Sequence, residues 1–280
     1  MAECGCESRD WAELPSDALV EVLGKLDVID LLTGAGQVCR PWRQLTVTEP
    51  TLWRRVDMCD LNGDRGTRQA MLRTAVDRAA GTMEAFSADL FVTVDLLLYV
   101  SSRASSLKSL KLVLCLGISK EGLTEALKGL PHLEELDITF CSFLYGDVCQ
   151  SIGKASPQLK CFRLNRIGPV QMFYGVDTEA LGIANSMHDL RELQLIGNRL
   201  TNDGLISIID HCLHLESVDV RRCYNVQMDD ALKSKCARIR NLKLPHDSIS
   251  DFKLRDYIFR YDLFGDLDVV TDDDDVYLYS

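Results

Sequence analysis

The sequence predicts an α/β fold: a short helical N-terminal segment, then strand–helix units stacked into a curved solenoid with a parallel sheet. Three observations carry this. The frame L-x-x-L-x-L-x-x-C/N-x-x-I recurs along most of the chain. The residues between consecutive frames read as amphipathic helices. The segment before the first frame is rich in aliphatics and tryptophan but lacks the frame altogether.

The best copies contain Leu107, Leu110, Leu112, Cys115 and Ile118; Leu133, Leu136, Ile138 and Cys141; Leu159, Phe162, Leu164 and Ile167; Leu190, Leu193, Leu195, Asn198 and Leu200; and Leu215, Val218, Val220, Cys223 and Val226. A weaker copy has Ile239, Leu242, Leu244 and Asp247, and a degenerate earlier one has Met83, Phe86, Ala88, Phe91 and Val94. The starts at 83, 107, 133, 159, 190, 215 and 239 are 24, 26, 26, 31, 25 and 24 residues apart. Within each copy the L-x-L core alternates with period two, as a half-buried strand does. Helices are expected over 121–130, 178–186, 202–211 and 228–235, with Thr201 or Asn202 as an N-cap. One strand and one helix cannot bury an apolar face alone, but stacked units can. The Cys or Asn after the strand turns the chain; a free Cys there packs as a small apolar group.

Residues 10–58 form the first division, read as three short helices over 17–26, 29–37 and 42–46. Residues 59–82 hold a turn at Asn62–Gly66 and an amphipathic helix over 67–80 that caps the apolar core. The repeats fill 83–248, and 249–280 is an acidic tail expected to be disordered. Nine Asp against Lys253, Arg255 and Arg260 give residues 251–280 a net charge of −6. Like charges in a run repel one another and favour disorder.

The whole chain carries −11 over 280 residues, which argues against a general nucleic-acid binder, since such proteins need a clustered basic face. An odd count of 11 scattered cysteines, without a basic n-region or apolar h-region at the N-terminus, argues for a reduced cytosolic or nuclear setting. The most apolar stretch, 91–100, is interrupted by Asp95 and too short to span a bilayer. Cys4-Gly5-Cys6 is one residue short of a C-x-x-C pair, and His211-Cys212 with His214, which could mimic ligands, sits at the end of a repeat helix where Cys212 and Leu213 suit packing, so no metal is expected. The chain lacks a G-x-x-x-x-G-K-[ST] loop, and its Cys and His positions offer no nucleophile–base pair. No catalytic residue and no cofactor are expected.

The most specific signal lies in 11–56. Leu14-Pro15 is followed by Leu19, Leu23 and Leu26, then Val38-Cys39-Arg40-Pro41-Trp42-Arg43, then Leu52-Trp53-Arg54. These three blocks in order strongly resemble the F-box. With the repeats behind it, the chain resembles the plant F-box/leucine-rich-repeat subfamily whose repeats carry a Cys. The resemblance implies a non-catalytic subunit of a ubiquitin ligase. Its F-box would bind a Skp-type adaptor, and through it cullin and RING subunits, while its repeats bind an unknown protein target. Carried over residue by residue, Leu14, Pro15, Leu19 and Leu23 would face the adaptor, with Val38, Cys39 and Trp42 building or flanking that surface. A segment of about 45 residues has little core of its own, so exposed apolar surface there fits a partner. A non-degradative scaffold and a ligand-sensing receptor are the alternatives. Pro41 departs from the family pattern and requires a helix to start or kink there. Gly34 and Gly36 weaken the preceding helix.

Two further features concern the target. The residues between the strand leucines, Lys111, Asp137, Arg163, Gln194, Asp219 and Lys243, form a column predicted to line the concave face. Its alternating signs read either as a self-neutralising ladder, worth ~0.2–1 kcal/mol per cross-strand pair, or as a polar target-binding strip. The longest repeat inserts residues 168–176, including Met172, Phe173 and Tyr174. These serve either as interface anchors or as packing against the adjacent helix.

Overall fold

The computed structural model describes residues 13–59, 63–141, 144–166 and 176–252, and beyond them two short strands. It divides into two compact units, Met1–Leu133 and Glu134–Ser280.

The first unit opens with helix α1 (Ser16–Leu23), which follows an extended Pro15 and buries Leu19 and Leu23. Asp27 then caps α2 (Val28–Asp30), accepting from the Asp30 amide at 2.8 Å. The helix continues through a π-helical segment, Leu31–Ala35, into α3 (Gly36–Val38). Gly34 lies in the wide turn, where the sequence predicts a weak helix. The extended Cys39 ends this run and begins α4 (Arg40–Thr48), with Pro41 in its first turn. There proline needs no donor and its fixed φ suits the helix, so the break required by Pro41 is a helix start. A 3-10 turn, Pro50–Trp53, buries the Trp53 indole, whose Nε1 donates to the Thr46 carbonyl at 3.1 Å.

A strand the frame did not announce comes next. β1 (Arg55–Met58) buries Val56 and Met58 and pairs in parallel with β2 (Ala85–Asp89), Val56 opposite Phe86. Between them runs α5 (Arg65–Ala79), capped by Asp64, which accepts from the Thr67 amide at 3.0 Å. Arg78 of α5 sits over the Trp53 ring at 5.2 Å. The helix predicted as a cap is therefore the helix of a first strand–helix unit, and the sheet starts within the segment assigned to the N-terminal division. α6 (Val94–Ser101), β3 (Ser109–Val113) and α7 (Lys120–Lys128) complete the unit, with β2 and β3 parallel.

The second unit holds β4 (Glu135–Thr139), α8 (Val148–Ala155), β5 (Cys161–Asn165), α9 (Thr178–Ser186), β6 (Glu192–Gln194), α10 (Asn202–His211), β7 (Ser217–Asp219), α11 (Asp230–Cys236) and β8 (Asn241–Lys243). Strands β4 to β8 pair in parallel, each with the next. In all seven predicted frames the strand begins two residues after the frame's first residue. The frame leucines from Leu107 to Leu215 are buried, each worth ~1.5–3 kcal/mol of transfer free energy, while Leu242 and Leu244 of the weaker last copy are half-buried. Two repeat helices, α6 and α8, were not anticipated. Helices α8 and α9 pack so closely that a Cβ on Gly182 would lie 2.7 Å from the Gln150 amide nitrogen.

The acidic tail also differs from expectation. Ile249 is buried, and further on β9 (Val269–Asp272) and β10 (Asp275–Leu278) pair antiparallel. Val, Thr and Tyr favour strands; Asp272 ends β9 and Asp275 begins β10. Among the described residues, no helix is long and apolar enough to cross a membrane.

Candidate functional site

The residues singled out from sequence fall mainly on two surfaces, one in each unit. On the helical segment, the seven residues singled out from sequence separate by burial. Leu19 and Leu23 are 1% and 0% exposed, so the expectation that they face a partner is corrected: their spacing on α1 turns both into the chain's own core. Val38 is 58% exposed at the end of α3, and Pro15 is exposed just before α1. Leu14, Cys39 and Trp42 are half-buried. Val47, on α4, adds a further exposed apolar side chain that sequence reading missed. Water contact with Val38 and Val47 is unfavourable, and a partner that covers them gains about 25 cal/mol per Å² of apolar surface.

On the sheet of the second unit, the predicted column is in register. Asp137 lies opposite Arg163, Arg163 opposite Gln194, Gln194 opposite Asp219, and Asp219 opposite Lys243. In the first unit Lys111 lies opposite Ser87. The charges do not pair simply along the column. The Arg163 guanidinium meets Glu192 at 3.2 Å, Asp219 is gripped by Arg221, and Lys243 meets Asp251. Arg221 and Asp251 were missed, because they lie outside the strand-centre position that the frame marks.

A continuous hydrogen-bonded relay runs along this face. The Thr139 hydroxyl donates to Asp137 at 2.6 Å and accepts from the Asn165 amide at 2.9 Å. The same Asn165 amide group donates to Gln194 Oε1 at 3.1 Å, and Gln194 Nε2 donates to Asp219 at 3.1 Å. Arg221 closes on Asp219 through Nε and Nη2, at 2.9 and 2.7 Å. Asn165, fully buried, also accepts from the Ile196 amide at 3.2 Å. Thr139, Asn165 and Arg221 share one place in their repeats, at the end of the strand core, which explains how a buried polar row runs beside the column, of which Asp137, Arg163 and Gln194 are half-buried and Asp219 is buried. A depression of about 160 Å³ lies over the column, lined by Arg163, Glu192, Gln194, Asp219, Asn241 and Lys243 among others.

The cysteines predicted to pack do so. Cys115, Cys141 and Cys223 are buried, and the Cys223 thiol donates to the Leu195 carbonyl at 2.9 Å. Burial pushes the Cys223 and Cys161 thiols up to about 12 and Cys212 up to about 11, so none of these three is a thiolate nucleophile at neutral pH. Among the described residues no group of His, Cys, Asp and Glu could hold a metal ion. Thr201 precedes α10, but its side chain makes no cap; it donates to Asp177 at 2.7 Å instead. Met172, Phe173 and Tyr174 lie outside the described residues.

The F-box-like family model matches residues 11–59, and a Leucine Rich repeat model matches 186–208. F-box/LRR-repeat protein 23 of Arabidopsis thaliana is 42% identical over 86% of this chain, an alignment spanning 54% of that relative's length. F-box protein SKIP19 of the same plant is 38% identical over 96% of this chain and 88% of its own length. A solved chain from the Rad7 and Elc1 complex in yeast gives a TM-score of 0.47 at 15% identity, covering 80% of this chain and 64% of that one. Relatedness at this level over nearly the whole length, together with helices followed by stacked strand–helix units, places the protein: it belongs to the F-box/LRR-repeat proteins.

Proposed function

We propose that the chain is the substrate-recognition subunit of a Skp–cullin–F-box ubiquitin ligase. Its helical segment docks a Skp-type adaptor, and its strand face holds a target protein. The observation that carries this is the F-box membership of 11–59, combined with the exposed Val38 and Pro15 on that segment. Leu14, Cys39 and Trp42, half-buried beside them in sequence, complete the docking set; Leu19 and Leu23 support it from beneath. On the target side, the column from Asp137 to Lys243 and the depression over it supply polar, shape-specific contacts. The Met172–Tyr174 insert supplies apolar anchors. The chain's own role is proximity: holding a target lysine near a charged conjugating enzyme raises its effective concentration.

The test is co-purification of the full-length chain with a Skp-type adaptor. Deleting residues 1–59 is a poor control, because it removes β1 from the sheet and Trp53 from beneath Arg78. Val38→Glu keeps the fold and places a charge on the docking face. We expect a one-to-one complex with wild type, and loss of ~2 kcal/mol or more of affinity with Val38→Glu. Failure of the wild-type chain to bind any such adaptor would overturn the reading.

A further inference from the structure

The end of the relay holds a cluster with a shape of its own. The Arg221 side chain is 2% exposed, and its charge is aimed by two bonds to Asp219. That leaves Nη1 pointing away from Asp219, where it donates to the Ser248 carbonyl at 2.6 Å and pairs with Asp251. Lys243 approaches the other oxygen of the same Asp251 carboxylate. Asp251 is more than half exposed and follows the last repeat strand by eight residues, on a turn that folds back over it.

Arg221 and Lys243 thus form a two-pronged cationic seat, preorganised by a buried carboxylate and filled by the chain's own Asp251. The four groups sum to zero charge; without Asp251 the seat carries +1. It opens beside the depression lined by Lys243, Asn241, Asp219 and Gln194. We infer that Arg221 and Lys243 form a binding site for an anionic oxygen group of a target, a carboxylate or a phosphate, and that Asp251 occupies it as an internal surrogate until such a group displaces it. Arginine and lysine together suit either anion: the guanidinium gives directed bonds and the ammonium a point charge. The inference deepens the target-binding reading of the strand face but needs no adaptor, so the two fail separately.

The experiment uses the full chain with inorganic phosphate and acetate as separate probes, at ionic strength held constant with chloride, read by thermal shift and titration. Asp251→Ala and the milder Asp251→Asn are compared with wild type, with circular dichroism to confirm folding. We expect half-saturating anion concentration to fall by about tenfold or more in Asp251→Ala, since a tethered competitor acts at millimolar effective concentration. Adding Lys243→Ala should abolish the gain. A larger effect of phosphate than acetate would assign the seat to a phosphorylated target, and the reverse to an acidic one. No anion-specific stabilisation in either folded variant, or a gain that survives Lys243→Ala, would overturn the inference. The same variants should retain adaptor binding.

Discussion

The helical segment and the strand face solve opposite problems. Around Val38 and Val47 the helices leave apolar side chains in water, with too little core of their own to cover them. On β4 to β8 the exposed groups are polar, and neighbouring repeats satisfy one another through the chain from Thr139 to Arg221. The difference teaches that the two surfaces, in the roles proposed for them, would bind by different physics. Burial would drive the first, so its affinity should resist salt. Directed charge-assisted bonds would drive the second, so its contacts should weaken as salt or acid rises.

The sharpest way to break the contrast is within the helical segment itself. Leu23→Ala removes a side chain with no exposure and should lower stability by ~2–5 kcal/mol in urea unfolding. Val38→Ala should leave the unfolding midpoint within ~0.5 kcal/mol of wild type yet weaken adaptor binding. Stability lost at Val38, or adaptor affinity lost at Val38 only in step with unfolding, would show that both residues serve the same core.

A smaller effect tests the relay. Asn165→Ala strands the Ile196 amide and takes a donor from Thr139 and Gln194, so ~1–3 kcal/mol should be lost. Gln194→Ala, at a half-buried position, should lose less. Equal losses would mean that the column and the buried row beneath it are not distinct. Neutral behaviour of Asn165→Ala would remove the relay as a source of rigidity.

Much of this was legible in sequence because period and register are local. A leucine frame fixes where strands begin, and the parallel stacking of near-equal units puts Asp137, Arg163, Gln194 and Asp219 side by side. What escaped was long-range or lay off the frame. The strand β1 has only Val56 and Met58 to announce it, too short an alternation to stand out. The burial of Leu19 and Leu23 depends on which way α1 rolls, which a motif match does not encode. Asp251 sits in an acidic stretch whose composition points to solvent, and only the approach of Arg221 and Lys243 reveals that it is held.

The smallest effect is also the cleanest on mechanism, because its sign and its pH window are both set. Hydrogen bonds from Arg221, then from Lys243, hold the Asp251 carboxyl down at about 2, against an ordinary 3.8. A folded value below the unfolded one means the pairing stabilises the protein above about pH 4 and is lost as pH falls through about 2. The carboxylate is 55% exposed, and Arg221 keeps Asp219 when it is gone, so screening should keep the contribution below ~1 kcal/mol. Urea unfolding of wild type and Asp251→Asn should therefore differ by a small, constant amount from neutral pH down to about 4. The gap should then close toward about 2 and shrink at high salt. A gap that persists in acid would mean that Asp251 holds the turn by shape alone, and the strand face would then resemble the helical segment more than the charges imply.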